Sequence, residues 1–309
     1  MEKLVCLALN PALDITLFTE RMDPEYSLVT RENTEAAGKA VNIARTARRF
    51  GLDAPAVLLL GRDNREKYLN CLDGDGVRRV VVEVPGETRE NIAVCAADGG
   101  FLRLARPGFS VEEKDLARVE QALLGLISPG TVLAASGRLP RGVDAARFAL
   151  LCRRAAQRGA RLVVDTASLT AEELCALCPE LIKPNFGELC AMTGRHPEGA
   201  EELKELLLGL LRRGVGEVLL SLGGEGMIYC GKGLCLRARV PRVEVRSTVG
   251  AGDNSLTGFL LARIEGLEPE ECLRRAAAFG TASVQEEGTR PPRREEVLRL
   301  LPQIITEEF

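Results

Sequence analysis

In VRSTVGAGDNSLTGFL, residues 245–260, a strand-like run breaks at Gly250, Ala251 and Gly252, a carboxylate follows at Asp253, and an apolar-periodic segment takes over. Successive backbone N–H groups exposed by small residues at the start of a helix make a site for an anion, because the helix dipole adds to donors that lack intrahelical partners. Asp253 falls in the first turn, beside where that anion would rest. A carboxylate there is poorly placed to hold phosphate, yet well placed to take a proton from a hydroxyl attacking phosphorus. The same position also suits an aspartate that only caps or charge-matches the helix, so the segment alone leaves both roles open.

Such a pair is useful only if a scaffold delivers a substrate to it. Apolar runs alternate with helical periods along most of the chain: LVCLAL, a helix from about Lys39 to Phe50, PAVLLLG, a helix near Asn64 to Leu72, and VRRVVVEV. After Pro107, helices over about 111–127, 144–158, 186–192 and 201–213 interleave with TVLAAS, RLVVD, LIKPN and EVLLSL. Strands alternating with helices of this length predict βαβ units and a mostly parallel sheet covered on both faces, an α/β fold. Residues from about 11 to 35 and 86 to 106 break the rhythm and read as extended pieces, predicted to pair as a small separate sheet over one edge of a single domain spanning 1–309. GMIYC and LCLRARV around Gly231, Lys232 and Gly233 read as a hairpin with a three-residue loop. Ligands of open parallel sheets bind beyond the carboxyl ends of the strands. Besides residues 250–253, the clusters expected there are Asn10 to Asp14, Gly38 to Asn42, Ser136-Gly137-Arg138, Pro184 to Glu188 and Gly223 to Gly226.

Lys plus Arg number 41 against 44 for Asp plus Glu, so no global field draws nucleic acid or an anionic membrane, and any anion must be met by local basic groups. No apolar run approaches a membrane span, and acidic residues interrupt the amino-terminal MEKLVCLALNPALD where a signal sequence would stay apolar; a soluble cytosolic protein is expected. Most of the ten cysteines lie inside apolar segments, where free Cys behaves as a small hydrophobe. Cys175, Cys178, Cys190 and His196 have a spacing that could supply four zinc ligands, but the strand LIKPN would carry the last two away from the first pair, which favours core cysteines and a surface histidine. No G-x-x-x-x-G-K-S/T occurs and no G-x-G-x-x-G follows a strand, which disfavours a Walker-type ATPase and a Rossmann dehydrogenase.

Taken in order, NPALDIT, AGKAVNIAR, GETREN, SGRLPRGV, LVVDTA, LIKPNFGEL, LLSLGGEG and STVGAGDNSLTGFL resemble the ribokinase-like (PfkB) sugar kinases over essentially the whole chain, and within them the phosphosugar branch of 1-phosphofructokinases and tagatose-6-phosphate kinases. The resemblance implies a three-layer αβα sandwich with a small β-sheet lid, and ATP and magnesium as cofactors. It implies Asp253 as catalytic base, with Gly250, Ala251 and Gly252 as the hole for the moving phosphoryl group. Asp14 then looks like the sugar-binding carboxylate, and Gly38, Lys39 and Asn42 like residues that meet the sugar and its phosphate. Arg89 would grip the substrate's existing phosphate, a role that suits a guanidinium fork, with Arg138 as an additional contact. On the nucleotide side the resemblance implies Asn185 and Glu188 as the N-x-x-E pair that arranges magnesium, Glu188 acting through water, since that ion keeps several waters. The same two residues fit a helix N-cap and its capping-box partner. Ser221, Gly223, Gly226 and Thr248 are expected along the nucleotide.

Three departures stand out against this resemblance. Ala37 and Ala40 occupy places where the family usually has glycines, Arg138 stands where a small residue is commoner, and Asn254 follows the base where a small residue is usual. The expected reaction is ATP with fructose 1-phosphate, giving fructose 1,6-bisphosphate. Tagatose-6-phosphate kinase and a non-catalytic sugar-phosphate-binding regulator of the same fold are the alternatives. No nucleic-acid or membrane partner is expected, and a homodimer could form through the lid strands.

Overall fold

Side chains of the central strands divide between two cores. In β1 (Leu4–Ala8), Leu4, Cys6 and Ala8 enter one core and Val5 and Leu7 the other; in β4 (Ala56–Gly61), Leu58 and Leu60 oppose Val57 and Leu59 in the same way. Successive strand side chains point to opposite faces, so apolar residues at every position demand cover on both sides. The computed structural model describes residues 3–309 and shows that cover as helices. On one face lie α1 (Lys39–Arg49), α2 (Arg65–Asp73), α8 (Ala251–Ile264), α9 (Pro269–Ser283) and α10 (Arg294–Leu300). On the other lie α3 (Glu113–Leu124), α4 (Ala145–Gln157), α5 (Ala171–Leu177), α6 (Phe186–Thr193) and α7 (Ala200–Arg212).

The remaining strands of the large sheet are β5 (Arg79–Val84), β8 (Val132–Ser136), β9 (Arg161–Asp165), β10 (Leu181–Ile182), β11 (Glu217–Ser221), β12 (Met227–Gly231), β13 (Leu234–Arg239) and β14 (Ile305–Glu308). Its ten strands run in the order β14-β13-β12-β11-β10-β9-β8-β1-β4-β5. Pairing is parallel from β5 to β11 and antiparallel from β11 to β14. This is the α/β sandwich read from the sequence, although the strand within LIKPN is limited to Leu181 and Ile182.

The β12–β13 hairpin corrects two expectations. Its loop has two residues, not three: Gly231 pairs with Leu234, and Lys232 and Gly233 both take the left-handed conformation, φ 51° and 79°. That geometry belongs to the tight turn whose twist matches the flanking strands. The resulting register sets Cys230 opposite Cys235, and the two form a disulfide, where free core cysteines were expected. Cys175 and Cys190 are buried thiols and Cys178 is exposed. Among the described residues, no group of three or more His, Cys, Asp or Glu is arranged to hold a metal, and no helix is long and apolar enough to cross a membrane.

A second sheet has the order β3-β2-β6-β7, built from β2 (Ala12–Thr19), β3 (Val29–Ala37), β6 (Arg89–Ala96) and β7 (Phe101–Ala105). Its register sets Asp14 opposite both Glu35 and Asn91, so these three side chains share one face. The other face sends Leu13 and Ile15 into the first core beside Tyr68 of α2, whose hydroxyl donates to the Ala37 carbonyl at 3.0 Å. Val29, Phe101, Leu102 and Leu104 on the two edge strands are exposed.

Helix α8 carries the 250–253 segment and is buried on nearly all sides, from Asp253 to Ala262. Full burial of Phe259 contributes on the order of 2–3 kcal/mol to holding it. At its far end Arg263 pairs with Glu180 at 2.9 Å and with Glu217, and lies over the Phe259 ring. The helix therefore enters the site as a rigid element.

Candidate active site

A cavity of about 1040 Å³ opens between the polar face of the small sheet and the carboxyl ends of the large sheet's strands. Every site residue singled out from the sequence lines it.

At its centre, Gly250 starts α8 with φ 80°, a conformation glycine adopts without steric cost. Gly252 leaves room for a neighbour: a Cβ there would lie 2.8 Å from Lys183 Nζ and would push that ammonium aside. The missing side chain lets an ammonium that is only 3% exposed come close to the helix N-terminus. Asp253 is 5% exposed and accepts a hydrogen bond from Asn42 Nδ2 at 2.7 Å. Burial, with the like charge of Asp165 adding to it, pushes the Asp253 carboxyl up to about 6, against the Asn42 hydrogen bond and the charges of Lys39 and Lys183. A carboxylate tuned toward neutrality is suited to proton transfer near physiological pH.

Lys39 Nζ donates to Asp165 Oδ1 at 2.7 Å and Glu188 Oε1 at 3.2 Å, and Lys183 Nζ lies 3.6 Å from Asp165 Oδ2. Burial would depress the Lys39 ammonium, but Asp165, Glu188 and Asp253 together outweigh it and raise it, so Lys39 stays charged. Glu188 serves two neighbours. Its Oε2 accepts the Asn185 backbone N–H at 2.9 Å while Asn185 Oδ1 accepts the Glu188 N–H at 2.8 Å, a capping box, and its Oε1 holds Lys39.

Toward the small sheet, Asp14 accepts from Asn91 Nδ2 at 2.6 Å. Burial raises its carboxyl above the usual range, against the Asn91 bond and the charges of Arg89 and Arg103. Arg89 donates to the Asn10 carbonyl at 3.3 Å and to Asn91 Oδ1 at 3.1 Å. Burial and the like charges of Arg138 and Arg103 depress its guanidinium, with Asp14 opposing. Among the described residues, none of Arg89, Arg103 and Arg138 forms an ion pair with a carboxylate. Three guanidiniums facing one cavity, none tied up in an ion pair and with Asp14 as the one carboxylate acting on Arg89, make an anion subsite with positive charge to spare. Asn42 Oδ1 and Ser136 Oγ, also on the cavity wall, are buried without a hydrogen-bond partner in the protein.

At the opposite end Ser221, Gly223 and Thr248 border a wall of Val240, Val243, Val245, Val249, Ala277 and Val284. An apolar wall beside polar backbone suits a flat heteroaromatic group. Gly226 also reaches this end, but its lack of a side chain is set by the hairpin, since a Cβ would fall 1.9 Å from the Ala238 carbonyl oxygen.

The sequence reading missed Asp165, Lys183, Asn91, Arg103 and the apolar wall. A signal existed for two of them. Asp165 ends the apolar run RLVVD and Lys183 sits in LIKPN, and charges inside buried strands are rarely tolerated without partners.

The model of the pfkB family of carbohydrate kinases matches residues 1–296. A 1-phosphofructokinase of Vibrio cholerae is 29% identical over 98% of this chain and 96% of its own. ATP-dependent 6-phosphofructokinase isozyme 2 of Escherichia coli is 30% identical over 94% of this chain and 95% of its own. A crystal structure of E. coli phosphofructokinase-2 in complex with fructose-6-phosphate superposes with a TM-score of 0.89 at 27% identity, covering 98% of this chain and 99% of that one.

Proposed function

The chain belongs to the pfkB family of carbohydrate kinases, and from that premise we propose that it moves the γ-phosphoryl group of ATP to fructose 1-phosphate, giving fructose 1,6-bisphosphate and ADP. The observation that carries this reading is one cavity holding unpaired guanidiniums at one end and a buried carboxylate beside a helix N-terminus at its centre.

Arg89, with Arg103 and Arg138, grips the phosphate already on the sugar, and Asp14 accepts from the sugar hydroxyls. The primary hydroxyl at the sugar's far end then meets Asp253, which takes its proton as the oxygen attacks phosphorus in line. Backbone donors of Gly250, Ala251 and Gly252, together with the Lys183 ammonium, bear the charge that develops on the phosphoryl oxygens. The small sheet closes over the cavity as a lid and excludes water, which would otherwise compete as acceptor. Magnesium fits the donors present: Asp165 Oδ2 is buried without a hydrogen bond, its nearest cation being Lys183 Nζ at 3.6 Å, and Glu188 stands across Lys39 from it. Asp165 and Glu188, with Asn185, would hold the ion through its waters, where it would offset charge on the nucleotide phosphates.

Fructose 6-phosphate is the second reading, favoured by the 30% relative named for that activity. Both fructose phosphates, like tagatose 6-phosphate, carry a phosphate at one end and a primary alcohol at the other. An ADP-release assay at equal ATP and magnesium separates them. Fructose 1-phosphate is expected to give the highest kcat/KM, and ribose, with no charge for the guanidiniums, at least about a hundredfold less. A higher value for fructose 6-phosphate or tagatose 6-phosphate reassigns the substrate, and ADP release with none of them favours a sugar-phosphate-binding regulator.

The exposed apolar residues on β3 and β7, with Tyr26 and Leu28 before β3, leave two unpaired sheet edges. A second copy of the chain covers them in a homodimer, since bare apolar edges invite strand pairing. Sedimentation equilibrium is expected to show a dimer that Phe101→Glu with Leu104→Lys dissociates; a monomer at tens of micromolar wild-type protein rules the arrangement out.

A further inference from the structure

Asn254 plays no part in the proton transfer, yet it is 1% exposed and every polar atom of its side chain is engaged. Thr46 of α1, also 1% exposed, donates its hydroxyl to Asn254 Oδ1. Asn254 Nδ2 in turn donates to the Gly250 carbonyl at 3.0 Å, and the backbone N–H of Asn254 donates to the same oxygen at 2.9 Å.

That carbonyl is one half of a rigid peptide plane whose other half is the Ala251 N–H. In a trans peptide the two point in opposite directions. Fixing the oxygen from the helix side therefore aims the Ala251 N–H out of the helix end and into the cavity that Ala251 lines. The Ala251 N–H makes one long hydrogen bond of its own, 3.4 Å to the Thr248 carbonyl, weak enough for a ligand oxygen to share or displace it. Gly250, at φ 80°, gives this peptide freedom to swing that a residue with a side chain would not. A second donor on its oxygen removes that freedom, and a chain of aligned hydrogen bonds also polarises its last N–H.

We propose that Asn254 is a positioning residue that locks the Ala251 amide in its anion-binding orientation, with Thr46 fixing the Asn254 amide in turn. The inference rests on the kinase reading above for the identity of the anion, a phosphoryl group in transfer. Helix α1 then sets both halves of the site: Asn42 holds the base, and Thr46, one turn later, holds the hole.

Removing the side chain donor in Asn254→Ala is expected to lower kcat on the order of 10- to 100-fold, as sub-ångström misplacement of a catalytic donor does, while KM for ATP and phosphosugar stays close to wild type. Asn254→Ser is nearly as small as alanine but can donate to the carbonyl four residues back, as Ser255 does to Ala251 at 2.9 Å; it is expected to recover most of the loss. Thr46→Val gives a smaller fall that Thr46→Ser reverses. A packing role predicts instead that the alanine and serine variants are equally impaired. Titration with ADP and aluminium fluoride, a phosphoryl mimic, reads the hole without turnover. Wild type is expected to bind ADP more tightly with the fluoride than without, and Asn254→Ala to lose that gain while keeping its affinity for ADP alone. Equal kcat in the alanine and serine variants, or a fluoride gain unchanged in Asn254→Ala, overturns the proposal. The kinase reading fails separately, if wild type releases no ADP with any phosphosugar.

Discussion

Asp253→Asn is expected to lower turnover with the preferred phosphosugar by roughly 100- to 10,000-fold, the contribution of a positioned general base. The amide has the shape of the carboxylate and can still accept from Asn42 Nδ2 through its oxygen, so KM for both substrates should change little. It cannot take a proton. The pH profile gives the independent check. Because the Asp253 carboxyl is raised to about 6, its basic form predominates above that pH and is lost below it, so wild-type kcat/KM should fall on the acid side with a midpoint near that value. The residual activity of Asp253→Asn should lack this limb. Asp165→Asn, which removes the like charge that helps raise the group, should move the limb to lower pH. Steady-state kinetics across the acid range decide the matter, and near-normal turnover in Asp253→Asn would falsify the assignment of the base.

Arg89→Ala should cost about 2–5 kcal/mol of phosphosugar recognition, roughly 30- to 5,000-fold in kcat/KM, because it removes one partner of a desolvated charge pair. The loss should fall on KM for the phosphosugar and leave KM for ATP within a small factor, since Arg89 lies on the small sheet with Asn91 and Asn10 as its neighbours. Arg89→Lys should recover the activity only in part, as an ammonium supplies charge without the fork. Weak activity on an unphosphorylated sugar offers the control. If Arg89→Ala weakens ribose and phosphosugar turnover by the same factor, the guanidinium is not reading phosphate.

The layered architecture was legible because it depends on short-range pattern. Leu58 and Leu60 against Val57 and Leu59 need no partner to be recognised as a strand buried on both sides. The two halves of the centre, Asp253 and the small residues before it, were adjacent in sequence and could be read together. Asp165 and Lys183 could not: their charges meet Lys39 and Gly252 only because parallel pairing brings the ends of β9 and β10 level. The hairpin shows how one residue of register matters. A three-residue loop pairs Cys230 with Leu234, whereas the two-residue turn pairs it with Cys235 and so produces the disulfide. The wall of Val240, Val243, Val245 and Val249 lies in irregular backbone, where no period marks which side faces inward.

The ionised groups at the heart of the cavity do not cancel. Asp165, Glu188 and Asp253 contribute three negative charges and Lys39 and Lys183 two positive ones, leaving one negative charge in excess before anything binds. In the proposed reaction a bare nucleotide tetra-anion approaching this point would meet repulsion from the very carboxylates that organise it, so the cluster is expected to select the nucleotide as its cation chelate over the free form. The guanidiniums across the cleft have the opposite surplus, which on the proposed reading would keep the sugar's phosphate from straying to the nucleotide end and give the two anionic substrates separate electrostatic addresses within a single chamber.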